Sequence, residues 1–326
     1  MARYGLSEAR QWVRTNLRGY MTALYTPFHQ NGDIDESALV KNVELTLELP
    51  GVGGLSLNSI HQEFWTLTDA ERMRVTELVL RTVDGRKPVI VGVSHTSART
   101  VIALARHAQA AGADALMVWP PYYGPRSKDG VLAFYGEIAE RIDIGMFVYS
   151  TTLSELGFYL TPNMVASLLP LDCLCGVHSS TMNFATYASM MERVGSDIAV
   201  STSLEEYFLF GKLSMPERAP DFLMGCSRPL FVQSRDRPYC GEFIEATLSG
   251  NYARAAAVMR EIVAIADKLQ SRYFAQGFHH VALFKALSEN QGLVGGPVRP
   301  PASAADAFEL QECFDLMRTA GIRTAP

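Results

Sequence analysis

The sequence predicts an α/β protein, a (β/α)8 TIM barrel with a C-terminal helical extension, and three observations carry that prediction. From residue 20 onward, short runs rich in Val, Ile and Leu alternate with longer stretches of helical period, as in a parallel sheet covered on both faces. Eight such alternations fit within about 230 residues, the arithmetic of this barrel. Beyond the eighth the chain stays helical. A length of 326 residues suits one barrel plus an appended helical piece, or two ordinary domains.

The predicted strands, in order, are 20–26, 53–58, 88–93, 114–119, 144–149, 173–178, 196–202 and 220–226. Helical stretches follow them, for instance 69–83 and 97–111, the latter opened by Ser97 as N-cap and closed by Gly112. Three further helices are read over 253–271, 278–290 and 305–319. The expected organisation is a barrel over residues 1–248 with a short N-terminal extension, and helices over 249–326 packed on it as one structural unit. A doubly wound open sheet is the competing architecture. No GxGxxG follows the first strand and no GxxxxGK[ST] occurs anywhere, so a nucleotide-phosphate cradle has no support.

Composition narrows the function classes. With 48% hydrophobic and 19% charged residues the chain is ordinary and globular, far from the disordered range. A net charge of -5 gives little electrostatic support to nucleic acid or an anionic membrane as partner, and points to a small-molecule substrate. No run approaches the ~18 apolar residues of a membrane span, and the amino end is polar, so a cytoplasmic protein is expected. The five cysteines Cys173, Cys175, Cys226, Cys240 and Cys313 form no CxxC and read as buried free thiols.

Several strand ends carry ordered motifs. Strand one leads into Thr26-Pro27-Phe28 and Asn31-Gly32-Asp33-Ile34-Asp35; strand four leads into Pro121-Tyr122-Tyr123; strand five ends at Tyr149; the tail holds Gly296-Pro297-Val298-Arg299-Pro300-Pro301. Together these resemble the dihydrodipicolinate synthase / N-acetylneuraminate lyase superfamily from about residue 18 to 320. Leu204-Glu205-Glu206-Tyr207, Met215-Pro216-Glu217-Arg218 and Arg299-Pro300-Pro301 look most like its hydratase-aldolase branch, which handles aromatic benzylidenepyruvate-type substrates. The resemblance implies a pyruvate-type aldolase in which a strand-six lysine forms a Schiff base and a strand-five tyrosine shuttles the proton. It also implies a homotetramer or dimer of dimers, in which the residue matching Tyr123 reaches a neighbouring subunit's site.

The position matching the family lysine is His178, in Cys173-Leu174-Cys175-Gly176-Val177-His178-Ser179-Ser180. An imine needs a primary amine, which imidazole is not. None of Lys41, Lys87, Lys128, Lys212, Lys268 and Lys285 reads as a strand-tip lysine: four fall within helices, Lys87 precedes strand three and Lys128 lies beyond the strand-four loop. The family's Gly-Thr-Thr-Gly-Glu loop is replaced by Ser59-Ile60-His61-Gln62-Glu63, so both glycines that allow close backbone approach to a carboxylate are gone. After Tyr149 the loop reads Ser150-Thr151-Thr152-Leu153-Ser154-Glu155, without the family proline or an arginine for a second carboxylate. This argues against a dicarboxylate product such as dihydrodipicolinate.

The expected chemistry is therefore proton transfer. Tyr149, His178 and Tyr123 are the candidate catalytic residues; Ser59, Ile60, His61, Glu63, His95, Tyr122 and Glu205 are the candidate substrate-binding residues. Histidine has an ordinary pKa near 6.5, suited to proton transfer at neutral pH, and a positioned acid–base group is worth about 10²–10⁴ in rate. The expected activity is a lyase, an aldolase or hydratase type, acting on a small oxo or hydroxy compound. Phe64, Trp65, Trp119, Tyr122 and Tyr123 suit an aromatic one. No cofactor is invoked. Metal is disfavoured, because no HxH or HxxxH spacing supplies paired ligands and His279-His280 point to different faces.

Structural readings stand beside these roles. His178 would then fill the lysine's space in a dead site, His61 and His95 would be surface-loop residues, and Tyr122 and Tyr123 would pack a subunit contact. Glu63 would brace its loop, and Glu205 and Glu206 would be first-turn acids favoured by the helix dipole. Two other functions stay open: a catalytically silent barrel kept for ligand binding or assembly, and a hydrolase in which His178 activates water, although no GxSxG elbow is present.

Overall fold

A computed structural model describes residues 3–152, 158–274 and 280–322. Eight strands form one sheet: β1 (Gly19–Ala23), β2 (Val52–Leu57), β3 (Val89–Gly92), β4 (Ala115–Val118), β5 (Met146–Thr151), β6 (Leu174–Ser180), β7 (Ala199–Ser201) and β8 (Phe222–Cys226). Their order is β7-β6-β5-β4-β3-β2-β1-β8. β7 and β8 stand at the two ends of that order, and Met224 N–H donates to the Thr202 carbonyl at 2.9 Å, linking them. The result is a nearly closed parallel (β/α)8 TIM barrel with helices appended at the C-terminus. Each of the eight predicted strands overlaps one observed strand. Every residue of β1, β3, β4, β5 and β7 is buried, as strands covered on both faces must be.

The helices are α1 (Ala9–Asn16), α2 (Glu36–Leu47), α3 (Asp69–Val83), α4 (Ala98–Ala111), α5 (Lys128–Ala139), α6 (Pro162–Ser167), α7 (Phe184–Val194), α8 (Glu205–Ser214), α9 (Tyr239–Leu248), α10 (Tyr252–Phe274), α11 (His280–Ser288) and α12 (Ala307–Thr319). α3 occupies the predicted span because a capping box fixes its start: Thr68 Oγ1 accepts the Glu71 N–H while the Glu71 carboxylate accepts the Thr68 N–H. α4 ends where predicted, at Gly112 with φ +95°, a left-handed conformation that glycine adopts without penalty. Its start needs correction. Ser97 holds the N-cap position, but its side chain caps nothing; its N–H instead donates to His95 Nδ1 at 3.0 Å. The first two positions of the predicted 278–290 helix, with His279, lie outside the described residues, as do Leu153, Ser154 and Glu155.

The chain divides into two compact units, residues 1–21 with 88–225, and residues 22–87 with 226–326. In the first, α1 lies against the amino ends of β6 and β7, with Arg10 donating to the Leu174 carbonyl (3.0 Å) and Arg14 to those of Gly195 and Ile198. In the second, Asn42 on α2 exchanges two hydrogen bonds with the Val294 backbone, tying the first βα segment to the tail. All five cysteines are buried thiols outside any disulfide. No helix among the described residues is long and apolar enough to cross a membrane.

Candidate active site

In the first unit, strand register assembles one group of side chains. Tyr149 on β5 pairs with His178 on β6, and His178 pairs with Ser201 on β7, so the three fall in one row and share a face near the carboxyl ends of their strands. The phenol and imidazole centroids are 5.3 Å apart. Trp119, one residue past β4, stacks on Tyr149 at 4.2 Å and 22°. Three rings and the Ser201 hydroxyl thus line up along β5, β6, β7 and the end of β4.

Burial sets the protonation of this row. His178 is 4% exposed, and loss of water around the imidazole pushes its pKa down to about 4, so the ring is neutral at neutral pH. Burial also pushes Tyr149 up to about 12, although the Ser180 and Thr151 side chains within hydrogen-bonding reach oppose the shift. Tyr149 is a neutral phenol and a proton donor. The sequence-based expectation of a histidine near 6.5 therefore needs correction: a desolvated imidazole gives up its proton far below that value. His178 Nδ1 lies 3.1 Å from Ser201 Oγ.

Other candidates of this unit sit apart from that row. His95 is half-buried with Nδ1 accepting the Ser97 N–H, a loop staple. Glu205 is completely buried as the first residue of α8, and its Oε1 accepts the Tyr20 hydroxyl at 2.8 Å, an internal brace rather than a solvent-facing carboxylate. Tyr122 is half-buried, whereas Tyr123 projects from the surface with 83% exposure.

In the second unit, the loop after β2 holds Ser59, Ile60, His61 and Glu63. Ile60–Gln62 form a 3-10 turn whose flanks, Asn58 and Glu63, have φ values of +49° and +55°. Non-glycine residues seldom adopt that conformation, and they hold it here where the surroundings over-determine it. Asn58 N–H donates to Gln62 Oε1, and the Asn58 amide donates to Thr76 Oγ1. Ser59 and Ile60 are half-buried, His61 is buried with its ring edge-on to Tyr25, and the Ser59 hydroxyl is a buried oxygen without a hydrogen-bond partner.

Glu63 is different. It is fully buried, and its carboxylate accepts from Lys285 Nζ at 3.0 Å and from the Arg299 N–H at 3.0 Å. Lys285, on α11, also donates to the carbonyls of Thr26 (2.8 Å) and Pro297 (2.5 Å). An ammonium has three N–H donors and no lone pair. All three are spent. Burial lowers the Lys285 pKa while the Glu63 charge opposes it. The sequence shows Lys285 only as a helical lysine; the signal for its burial is its place within His280-Val281-Ala282-Leu283-Phe284-Lys285-Ala286-Leu287, the single charge in an apolar run. Ser201 is also missed, although a hydroxyl closing an otherwise apolar strand is a readable sign.

A parallel barrel with titratable side chains at the carboxyl ends of its strands defines the enzyme class that works from that rim. The Dihydrodipicolinate synthetase family model matches residues 16–212, and the chain belongs to that family, one of lyase- and aldolase-type enzymes. A 4-hydroxy-tetrahydrodipicolinate synthase from Phenylobacterium zucineum is 30% identical over 306 residues, 94% of this chain and 98% of that protein. One from Parvibaculum lavamentivorans is 29% identical over 306 residues, covering 94% and 99%. Among solved structures, a prophage protein of the dihydrodipicolinic acid synthase family from E. coli K12, in complex with pyruvate, superposes with a TM-score of 0.81 at 22% identity, covering 94% of this chain and 99% of that one. That likeness shows the fold.

Proposed function

We propose that the chain is a lyase that cleaves or hydrates a small oxo or hydroxy compound by proton transfer, without a lysine Schiff base. His178 is the base and Tyr149 the acid. The observation that carries this reading is the buried, in-register pair of a neutral imidazole and a neutral phenol at the carboxyl ends of β5 and β6. The fates of the amines support it. Lys41, Lys128 and Lys268 are exposed on helices, while the Nζ atoms of Lys87, Lys212 and Lys285 are each held by two or more oxygen acceptors.

In the cleavage direction the imidazole accepts the proton of a β-hydroxyl group. That O–H pair becomes a new C=O bond, the carbon–carbon bond breaks, and its electrons pass to the neighbouring carbonyl, whose developing oxyanion takes a proton from Tyr149. The imidazolium then returns its proton to the phenolate. An isolated imidazolium is costly in a dry site, but one formed beside an oxyanion is half of an ion pair, and low polarity strengthens that attraction. The flat Trp119–Tyr149 stack suits an aromatic substituent on the substrate. We read the assembly as a homo-oligomer, because the exposed Tyr123 ring suits contact with a neighbouring copy.

The test combines two measurements. Borohydride with pyruvate should leave no adduct on any lysine; a stable adduct, on Lys285 above all, refutes the reading. A panel of oxo acids, hydroxy acids and arylidene pyruvates should yield turnover that His178→Ala and Tyr149→Phe each reduce by about 10²-fold or more. Full activity in both variants would place the chemistry elsewhere. Binding without turnover would identify a silent barrel.

A further inference from the structure

His178 stands between two neighbours that treat its two nitrogens differently. On one side is Ser201, whose Oγ lies 3.1 Å from Nδ1 and 3.5 Å from the Val177 carbonyl. The roles across the Oγ–Nδ1 contact depend on the ring tautomer; with the hydroxyl hydrogen turned to the Val177 carbonyl, which only accepts, a lone pair of Oγ faces the ring. Nδ1 then carries the hydrogen. A neutral imidazole has one N–H, so Nε2 is left with its lone pair.

On the opposite edge is Gly225 of β8, at φ +75°. A Cβ there would sit 3.1 Å from Nε2 and 3.3 Å from Cε1. Any other residue would both strain the backbone and crowd the nitrogen that holds the lone pair.

We infer that Ser201 and Gly225 are positioning residues for His178: Ser201 fixes the Nδ1–H tautomer, and Gly225 keeps the space against Nε2 clear, so that Nε2 is the atom that takes the substrate proton. This rests on the proton-transfer reading and adds the atom and the two residues that set it. The usual orienting partner of a catalytic histidine is a carboxylate, which would raise its basicity. A hydroxyl orients the ring without that charge, and the base remains neutral across the neutral range.

Long-range ¹H–¹⁵N spectra of protein labelled with ¹⁵N-histidine read the tautomer without any substrate. At pH 7 the His178 signals should show a protonated Nδ1 and a bare Nε2. Ser201→Ala should convert them to a mixture, and Ser201→Thr, which keeps the hydroxyl, should restore them. A wild-type ring protonated at Nε2, or a tautomer unchanged in Ser201→Ala, overturns the inference. Diethyl pyrocarbonate, which attacks a bare imidazole nitrogen, probes the second half. His178 should be carbethoxylated in the wild type and about tenfold more slowly in Gly225→Ala, with circular dichroism confirming that the variant is folded. Equal rates, or an unreactive wild-type His178, overturn the role of Gly225. Turnover with the opposite tautomer sinks this inference and leaves the proton-transfer reading intact, whereas the expected tautomer with no turnover on the panel does the reverse.

Discussion

The depressed pKa of His178 makes stability depend on pH in a way that can be isolated from every other group. Burial lowers it from 6.5 to about 4. Between those values the unfolded chain binds a proton that the folded chain refuses, so stability is unaffected above 6.5 and falls as pH drops toward 4. At about 1.4 kcal/mol per pH unit, the window amounts to about 3 kcal/mol. Carboxylates titrate over the same range, but they are common to wild type and His178→Gln. The difference in unfolding free energy between these two proteins, measured by urea titration from pH 8 to pH 4, should therefore shift by about 3 kcal/mol in favour of the variant. A parallel titration of the His178 ring by NMR should find no midpoint near 6.5. A constant free-energy difference across the range, or a ring that titrates near 6.5, would refute the argument that desolvation governs this residue.

The same depression predicts the acid limb of the rate profile: for any substrate that turns over, kcat/KM should hold down to about pH 4 rather than fall near 6.5. Lys285→Met strips a buried carboxylate of its counter-ion and should cost about 3–5 kcal/mol in denaturant unfolding, with Glu63→Gln in the same chain recovering more than half. A loss below 1 kcal/mol, or no recovery, would mean that the pair is not coupled as its geometry says. Truncation after residue 248 removes Lys285 and Arg299 together, leaving Glu63 without either partner and Glu71 without the guanidinium that holds its carboxyl down to about 2. The shortened chain should be insoluble or molten by near-UV circular dichroism. A cooperative, native-like 1–248 fragment would show that the helices are dispensable.

The barrel was legible because its signals are local and repeated. Period-2 and period-3.6 patterns recur eight times, and punctuation such as Thr68 with Glu71, or Gly112, needs no knowledge of distant residues. Tyr149 and His178 stand out as candidates for a related reason: strand ends are where a barrel presents its chemistry, so position along a strand already marks them. What strand position does not encode is solvation. The same imidazole would titrate near 6.5 on a wet rim and titrates near 4 here, because only the packed neighbours decide how much water it keeps.

Glu63 and Lys285 show the other limit. They are 222 residues apart in sequence, and each by itself reads as an ordinary loop acid and an ordinary helical lysine. Their meaning lies in the pair: the tail helix carries an ammonium to the loops after β1 and β2, where it meets Thr26 and Glu63, with the tail's own Pro297 as the third acceptor. This contact also bears on the proposed chemistry. A buried lysine of lowered pKa is what a Schiff base requires, and Lys285 has the burial and the direction of shift, yet its three donors are occupied by one carboxylate and two carbonyls. To attack a carbonyl carbon it would have to lose a proton and abandon at least one acceptor, leaving that oxygen buried and unpaired at a cost of about 1–3 kcal/mol before any bond formed. His178 pays no such penalty, since its free-base form already exists at neutral pH. The difference between those two costs supports the proposed proton-transfer route over a relocated imine.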